Sequence, residues 1–189
     1  VQEHLGLAAQ VEQLRERNGK AFTAEKFDAV VCNSSGCGYA LAKTLMPETR
    51  VRDVLDFLGE LPLKRRERKA NTARVYVDLP CHLIHGQRSP GIPASVLDAT
   101  GYAWELAPMA RDCCGSGGVY NLQKLESAKE ILARTAAFLE GAEGEPAILA
   151  TANHVCMMQW SSEGRLGLVR RPYQVRHVIE LLDPQERTE

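Results

Sequence analysis

The most reactive groups in this sequence lie together, as an adjacent pair of thiols at Cys113 and Cys114 followed by the glycine-rich stretch 115–118. Side chains one position apart point in different directions on a helix or a strand, so packing does not explain the pair. The two cysteines also make a poor disulfide with each other, because bridge geometry favours partners on separated backbone segments. We interpret them as two thiolates that a tight loop presents to a shared ligand.

Three more cysteines occupy equivalent places in the pattern. Cys37, Cys81 and Cys156 each come just past a predicted strand and before the helix that follows it. The carboxyl ends of parallel strands share one edge of a sheet, so these thiols are expected to converge there. A nearby helix N-terminus favours the thiolate form, which is the form that binds metal. Cys32 differs because it lies inside the first predicted strand, where we expect buried packing.

The elements that must position these thiols follow from the hydrophobic pattern. Apolar runs predict four strands, at 27–33, 74–79, 102–106 and 146–152, with a weak fifth at 167–170. Helical signals predict helices at 39–45, 51–58, 93–100, 121–139 and 175–182. This alternation indicates an α/β fold, a mainly parallel sheet of four to five strands with helices on both faces and cysteines on the loops at the strand carboxyl ends. An amphipathic pattern over 4–18 predicts an N-terminal covering helix within residues 1–20, and residues 21–189 form the main domain.

Composition limits the class of protein. The chain has 189 residues, is 44% hydrophobic and carries a net charge of −1, which suits one globular domain and argues against a nucleic-acid binder. No apolar run has the length of a membrane span, and no secretory signal is visible. Six cysteines in such a chain favour metal or redox chemistry over a disulfide framework. The first residue is Val1 rather than Met, so we expect a piece of a longer protein.

The glycine-rich stretch does not match a nucleotide-binding loop. No Gly-Lys-Ser/Thr follows it, and Tyr120 stands where the third glycine of the dinucleotide fingerprint belongs. We expect Gly115 and Gly117 to let the backbone approach a bulky inorganic ligand and to donate amide hydrogen bonds to its sulfurs.

Five motifs, in order along the chain, resemble the cysteine-rich CCG domain, in particular the C-terminal copy in the iron–sulfur subunit of glycolate oxidase. The family also includes lactate-utilisation iron–sulfur proteins and the cysteine-rich component of heterodisulfide reductase. The motifs are Ser35-Gly36-Cys37-Gly38, Pro80-Cys81-His82-Leu83 with His85-Gly86, Cys113-Cys114-Gly115-Ser116 with Tyr120-Asn121-Leu122, Asn153 to Cys156, and Val175-Arg176-His177 with Glu180-Leu181-Leu182. The resemblance covers nearly the whole chain and implies that 21–189 is one CCG domain, cut from a longer subunit or encoded separately.

The resemblance also implies a set of cluster ligands. The cysteines that match those of a [4Fe-4S]-type cluster in the family are Cys81, Cys113, Cys114 and Cys156. The closing cysteine of the family pattern is absent, because Gln159 stands at its position, and we expect Cys37 to supply a fifth thiolate. A second departure is Leu79, where relatives of this type have Asp before Pro-Cys-His. A four-cysteine cubane, an altered cluster and a zinc ion therefore all stay open.

Other side chains near the motifs have expected roles in the same site. His82 and His154 are expected to donate hydrogen bonds that tune the potential of the cluster. His85 is expected to line the approach to the cluster, and Arg111 to offset the charge of the thiolates.

The function implied by the resemblance is electron transfer within a flavin-linked 2-hydroxy-acid dehydrogenase that acts on glycolate or lactate. Its partners would be a flavoprotein subunit and other iron–sulfur domains, in the cytoplasm and peripheral to the inner membrane only through those partners. One alternative is a structural zinc-binding domain, which would be colourless where a cluster is brown. Another is a thiol/disulfide reductase module of the heterodisulfide type that works through Cys113 or Cys114 and needs no metal.

Overall fold

The computed structural model describes residues 1–23, 26–45, 50–67 and 73–182. Within these residues the strands are β1 (Val30–Cys32), β2 (Val51–Asp53), β3 (Arg74–Val77), β4 (Ala103–Leu106), β5 (Ala147–Thr151) and β6 (Tyr173–His177). The α-helices are α1 (Ala8–Thr23), α2 (Ser35–Leu45), α3 (Val54–Gly59), α4 (Ala94–Ala99), α5 (Tyr120–Gln123), α6 (Leu125–Ala136), α7 (His154–Leu166) and α8 (Val178–Leu182). A π-helical turn spans His82–Gly86, and a 3₁₀ turn spans Ala137–Gly141.

The main sheet contains four parallel strands in the order β4-β3-β5-β6. Every residue of β5 is buried, because this strand lies between two others and under packed helices. Its apolar run is therefore continuous rather than alternating, as expected for a central parallel strand. Leu132 and Ala136 of α6 and Leu97 of α4 complete the same core. The predicted α/β class with parallel strands is confirmed.

A second, two-stranded parallel sheet is formed by β1 and β2, with Val30 opposite Val51 and Cys32 opposite Asp53. The sequence pattern predicts a helix over 51–58, and that prediction is wrong in its first turn. Val51–Asp53 is a strand, and α3 begins only at Val54, where the Asp53 carboxylate accepts a hydrogen bond from the backbone N–H of Leu55. A three-residue strand is too short to leave a periodic signal, so the capping aspartate is the better guide to the boundary.

Four further boundaries differ from the prediction. The last strand is Tyr173–His177 rather than 167–170, because the alternation of Tyr173, Val175 and His177 with polar residues belongs to a strand and not to the first turn of a helix. The long helix expected at 121–139 is interrupted at Lys124. Helix α2 begins at Ser35, earlier than expected, and α1 covers Ala8–Thr23 with no buried residue. Pro47, which the sequence predicts to end the helix of 39–45, lies outside the described residues.

None of the described helices has the length and apolar character that crossing a bilayer requires.

Candidate metal centre

A cavity of about 440 Å³ lies at the carboxyl edge of the main sheet, and five cysteines contribute to its lining. They are Cys37, Cys81, Cys113, Cys114 and Cys156, and we call this cavity the cysteine pocket. None of the six cysteines of the chain is in a disulfide. Cysteines that are far apart in sequence therefore line one cavity, as the strand pattern predicts.

The main sheet positions four of these thiols. Cys81 comes directly before the π-helical turn that follows β3, and Cys113 and Cys114 lie in the loop between β4 and α5. Cys156 lies in the first turn of α7, just past the end of β5. Cys37 likewise lies in the first turn of α2. Two of the five cysteines are thus on helix N-terminal turns rather than on the loops that the sequence predicts, because both helices begin closer to their strands.

Cys37 reaches the pocket although its strand belongs to the other sheet. The backbone N–H and the hydroxyl of Ser35 both donate to the carbonyl oxygen of Ala152, at 3.3 and 2.9 Å. The Ser34 hydroxyl donates to Asn153 Oδ1 at 3.0 Å, and both serines are buried. These bonds fasten the start of α2 to the end of β5, so the small sheet adds a wall to the pocket.

Asn153 links that wall to a thiol. While its Oδ1 accepts from Ser34, its Nδ2 donates to the sulfur of Cys156 at 3.2 Å. Asn153 is buried, and its backbone carbonyl accepts from the N–H of Met157 within α7. The amide thus fixes the position of Cys156 and supplies its sulfur with a hydrogen bond.

The loop after the cysteine pair depends on glycine. Gly115, Gly117 and Gly118 have φ values of +88°, +48° and +73°, which L side chains rarely adopt. A Cβ on Gly115 would lie 2.8 Å from the carbonyl oxygen of Ala128 in α6, so this loop packs directly on a helix backbone. The N–H of Gly115 donates to the Cys113 sulfur at 3.4 Å.

Hydrogen bonds among neighbouring thiols shift the pKa values of these cysteines in opposite directions. Hydrogen bonds from the thiols of Cys114 and Cys81 lower the pKa of Cys113 far below its ordinary value of 9.0, and the amides of Gly115 and Gly117 add to this effect. The pKa values of Cys81 and Cys114 rise, chiefly because each donates its proton towards Cys113 and also through burial. These shifts make Cys113 the most readily ionised of the three thiols.

Of the histidines that the sequence predicts for the site, His82 lines the cysteine pocket. Its Nδ1 lies 3.7 Å from the Cys81 sulfur, and its ring contacts Tyr39 and His4 at centroid distances of 5.8 and 6.5 Å. Burial, followed by the nearby His4, lowers the pKa of His82. The neutral imidazole has one N–H to donate, which suits a hydrogen bond to a thiolate.

Other predicted residues lie away from the lining. His154 is exposed and stacks on His177 with 5.4 Å between ring centroids. The exposed residues His85 and Arg111 are not part of the pocket wall either. Gln159 is buried, and its amide oxygen accepts from Asn121 Nδ2 at 2.8 Å, so this residue stabilises the α5–α7 contact.

The structure corrects the expectation for Cys32 and shows where Leu79 lies. Cys32 is half-buried rather than buried, its thiol donates to the carbonyl oxygen of Ser34 at 3.4 Å, and burial raises its pKa. Leu79 is part of the core, and a carboxylate stands one position earlier, at Asp78. Asp78 accepts from the Thr151 hydroxyl at 2.7 Å, and its burial raises its pKa to about 7.

Sequence reasoning assigns no role to several residues that line the pocket. They include His4, Tyr39, Lys43, Ser116 and Gly118. His4 packs on the loop glycines, since a Cβ on Gly118 would lie 2.7 Å from its Nε2. Lys43 lies over the ring of Tyr39, 4.3 Å from the centroid. The amphipathic pattern over 4–18 predicts only a covering helix, so the tertiary fold is needed to reveal that His4 reaches this site.

The donor set fits a thiolate-bound cluster. Among the residues for which the structure gives positions, no group of three or more His, Cys, Asp or Glu side chains is arranged around one point to hold a metal ion. A polynuclear cluster distributes its ligands over several iron atoms, and cysteine thiolates are its usual ligands. The Ser116 hydroxyl, which is buried without a partner among the described residues of the pocket wall, adds a polar atom that a bound group can satisfy.

Comparison with known proteins identifies the matching family. Residues 75–161 match the cysteine-rich domain family CCG, a segment that contains Cys81, Cys113, Cys114 and Cys156. The chain is 28% identical to the probable glycolate oxidase iron–sulfur subunit of Bacillus subtilis (strain 168) over 200 residues, 95% of this chain and 44% of the relative. It is 28% identical to the glycolate oxidase iron–sulfur subunit of Escherichia coli (strain K12) over 171 residues, 82% of this chain and 39% of the relative. The chain thus spans about two fifths of the length of these relatives. The resemblance to the CCG domain of glycolate oxidase iron–sulfur subunits is confirmed.

Proposed function

We propose that the cysteine pocket holds an iron–sulfur cluster and that the domain transfers electrons through it. One observation carries this proposal: five thiols from both sheets line a single cavity, and four of them lie in the segment that matches the CCG family. The two similar curated proteins are named as iron–sulfur subunits, which supports the same assignment. When bound, the cluster supplies one-electron transfer.

The proposed ligands are Cys81, Cys113, Cys114 and Cys156, around a [4Fe-4S]-type cluster. Cys37 is the proposed additional ligand, since it lies on the same lining where Gln159 does not. A fifth thiolate would replace the family's missing closing cysteine from the opposite wall of the pocket. The arrangement of the five thiols therefore favours an altered cluster over a plain four-cysteine cubane.

The side chains around the ligands have separable roles. The Gly115 amide donates to Cys113 and the Asn153 amide to Cys156, so both thiolates are stabilised without an added charge. His82, beside the sulfur of Cys81, supplies a third polar contact. Hydrogen bonds to cluster sulfurs favour the reduced, more negative state, and these donors are expected to raise the reduction potential.

The whole protein to which this domain corresponds is proposed to be a flavin-linked 2-hydroxy-acid dehydrogenase of the glycolate or lactate type. The domain would accept electrons that originate at a flavoprotein subunit, and further iron–sulfur domains would share the path. We place this complex in the cytoplasm, peripheral to the inner membrane through its partners. The names of the similar proteins, glycolate oxidase iron–sulfur subunits, support the glycolate-oxidising activity in this proposal.

The test of electron transfer is a redox titration of anaerobically reconstituted protein, followed by visible absorption and electron paramagnetic resonance. The proposal expects a brown protein that takes up and releases one electron reversibly. A colourless protein that binds zinc in place of iron and sulfide would contradict it. A protein that shows thiol–disulfide exchange activity without any metal would also contradict it.

A further inference from the structure

Ser116 is the third residue after Cys113, and its hydroxyl stands out among the buried polar atoms. The side chain is 1% exposed, and its Oγ has no hydrogen-bond partner among the residues that the structure describes. The residue nevertheless lines the cysteine pocket, between the cysteine pair and the exposed Gly117. An unsatisfied buried hydroxyl destabilises a protein, so a hydrogen-bond partner is expected for this one.

The backbone of Ser116 is already committed. Its N–H hydrogen-bonds to the sulfur of Cys114, which counteracts part of the rise in the pKa of that thiol. Its carbonyl oxygen accepts from the N–H of Asn121 at 3.2 Å, at the start of α5. These contacts fix the backbone of residue 116, so the side chain has little freedom to reach a partner elsewhere.

Ser35 provides a contrast on the opposite wall. It is also fully buried, but its hydroxyl donates to the carbonyl oxygen of Ala152 and contacts the carboxylate of Asp53. The two serines are therefore equal in burial and opposite in hydrogen bonding. Ser35 holds the wall together, whereas the hydroxyl of Ser116 makes no bond to the described residues of either wall.

We infer that the Ser116 hydroxyl is a hydrogen-bond donor to a sulfur of the group that the pocket binds. This inference rests on the proposed iron–sulfur function and assigns a positioning residue within that site. A hydroxyl donor to a cluster sulfur stabilises the reduced state, so it raises the reduction potential and slows loss of the cluster. The backbone amides of the same loop would then bond to the sulfurs of Cys113 and Cys114, while this hydroxyl bonds to the bound group itself.

The inference predicts effects of opposite sign in two forms of the protein. In the iron-free, reduced protein, Ser116→Ala removes an unsatisfied polar group, so the free energy of unfolding should stay equal or increase. In the reconstituted protein, the same variant should have a more negative reduction potential and should release iron to a chelator severalfold faster than the wild type. Ser35→Ala is the matched control, and it should lower the stability of the iron-free protein because it removes a satisfied bond.

Two results would overturn the role of Ser116. One is a reconstituted Ser116→Ala protein with the potential and iron-release rate of the wild type. The other is an iron-free Ser116→Ala protein that loses stability as Ser35→Ala does, since the hydroxyl would then have a partner within the protein. A wild-type protein that binds no iron would instead refute the proposed function, and the unfolding comparison would still report whether the hydroxyl is satisfied.

Discussion

Asn153 donates from Nδ2 to the sulfur of Cys156 at 3.2 Å while its Oδ1 accepts from the hydroxyl of Ser34 at 3.0 Å. One buried amide thereby connects a proposed ligand on the main sheet with the small sheet that carries Cys37. Together with the two bonds from Ser35 to the carbonyl oxygen of Ala152, this contact joins the two pocket walls.

Asn153→Ala should therefore weaken both the fold and the site. Two buried groups, the Ser34 hydroxyl and the Cys156 thiol, lose their partner, and we expect a loss of about 2 kcal/mol in the free energy of unfolding. Iron content after reconstitution should fall as well. Chemical denaturation with iron analysis measures both quantities. Asn33→Ala is the control, because Asn33 is exposed and its replacement should change stability by less than about 0.5 kcal/mol. Equal behaviour of the two variants would contradict the role of Asn153.

Gly115→Ala should damage the loop that presents the cysteine pair. The backbone at Gly115 has φ +88°, and the new Cβ would meet the Ala128 carbonyl oxygen at 2.8 Å. We expect a destabilisation of about 2 kcal/mol or more, together with reduced iron binding. Thermal unfolding and iron analysis test this expectation. Gly141→Ala has nothing within 4 Å of the new Cβ and should leave both properties unchanged, so a Gly115→Ala protein that matches it would disprove the loop argument.

Asp53 should make the stability of the domain depend on pH. Burial, with a smaller effect of Asp56, raises the pKa of Asp53 from 3.8 to about 6 in the folded protein. The folded state therefore holds this proton more tightly than the unfolded chain, and the associated stability is lost as the pH rises from about 4 to above 6. In full, the loss amounts to as much as about 3 kcal/mol.

Asp53→Asn should remove this dependence, because an asparagine oxygen can still cap α3 by accepting from Leu55. Denaturant unfolding at a series of pH values should give similar stabilities for the two proteins near pH 4 and a more stable variant at pH 7. A constant difference across this range would show that the carboxyl does not titrate as described.

Cys37→Ala should change the type of cluster rather than abolish it. Cys37 is exposed on the first turn of α2, whereas the other four thiols belong to the elements of the main sheet. We expect retained iron with an altered absorption and electron paramagnetic resonance spectrum. A variant with the wild-type spectrum would remove Cys37 from the ligand set, and a variant without iron would place it among the essential ligands instead.

The strand pattern is sufficient to predict where the thiols meet. Apolar runs locate β3, β4 and β5, and the parallel arrangement then brings Cys81, the 113–114 pair and Cys156 to one edge. The pattern does not reveal that β1 belongs to a second sheet, because strand order depends on tertiary contacts such as the bond between Ser35 and Ala152. Short elements such as β2 are missed for a different reason, since three residues carry no period.

The sequence likewise does not show which buried polar side chains have a hydrogen-bond partner. Ser116 and Ser35 are both small polar residues next to glycine, and nothing in the sequence indicates that they differ in hydrogen bonding. Gln159 is the converse case: its position in the family pattern suggests a missing ligand, but its side chain bonds to Asn121 away from the cavity. Roles that depend on the direction of a side chain require the structure.

The most direct test of the central proposal is iron and acid-labile sulfide analysis, with a visible spectrum, of anaerobically reconstituted wild type, Cys114→Ala and Cys32→Ala. Cys114 is buried in the pocket, whereas Cys32 lies outside its lining, so the pair compares a proposed ligand with a cysteine of the same chain that has no such role. We predict about four iron and four sulfide per chain in the wild type and in Cys32→Ala, and a loss of most of both in Cys114→Ala. Full cluster content in Cys114→Ala, or equal loss in both variants, would contradict cluster binding by the cysteine pocket.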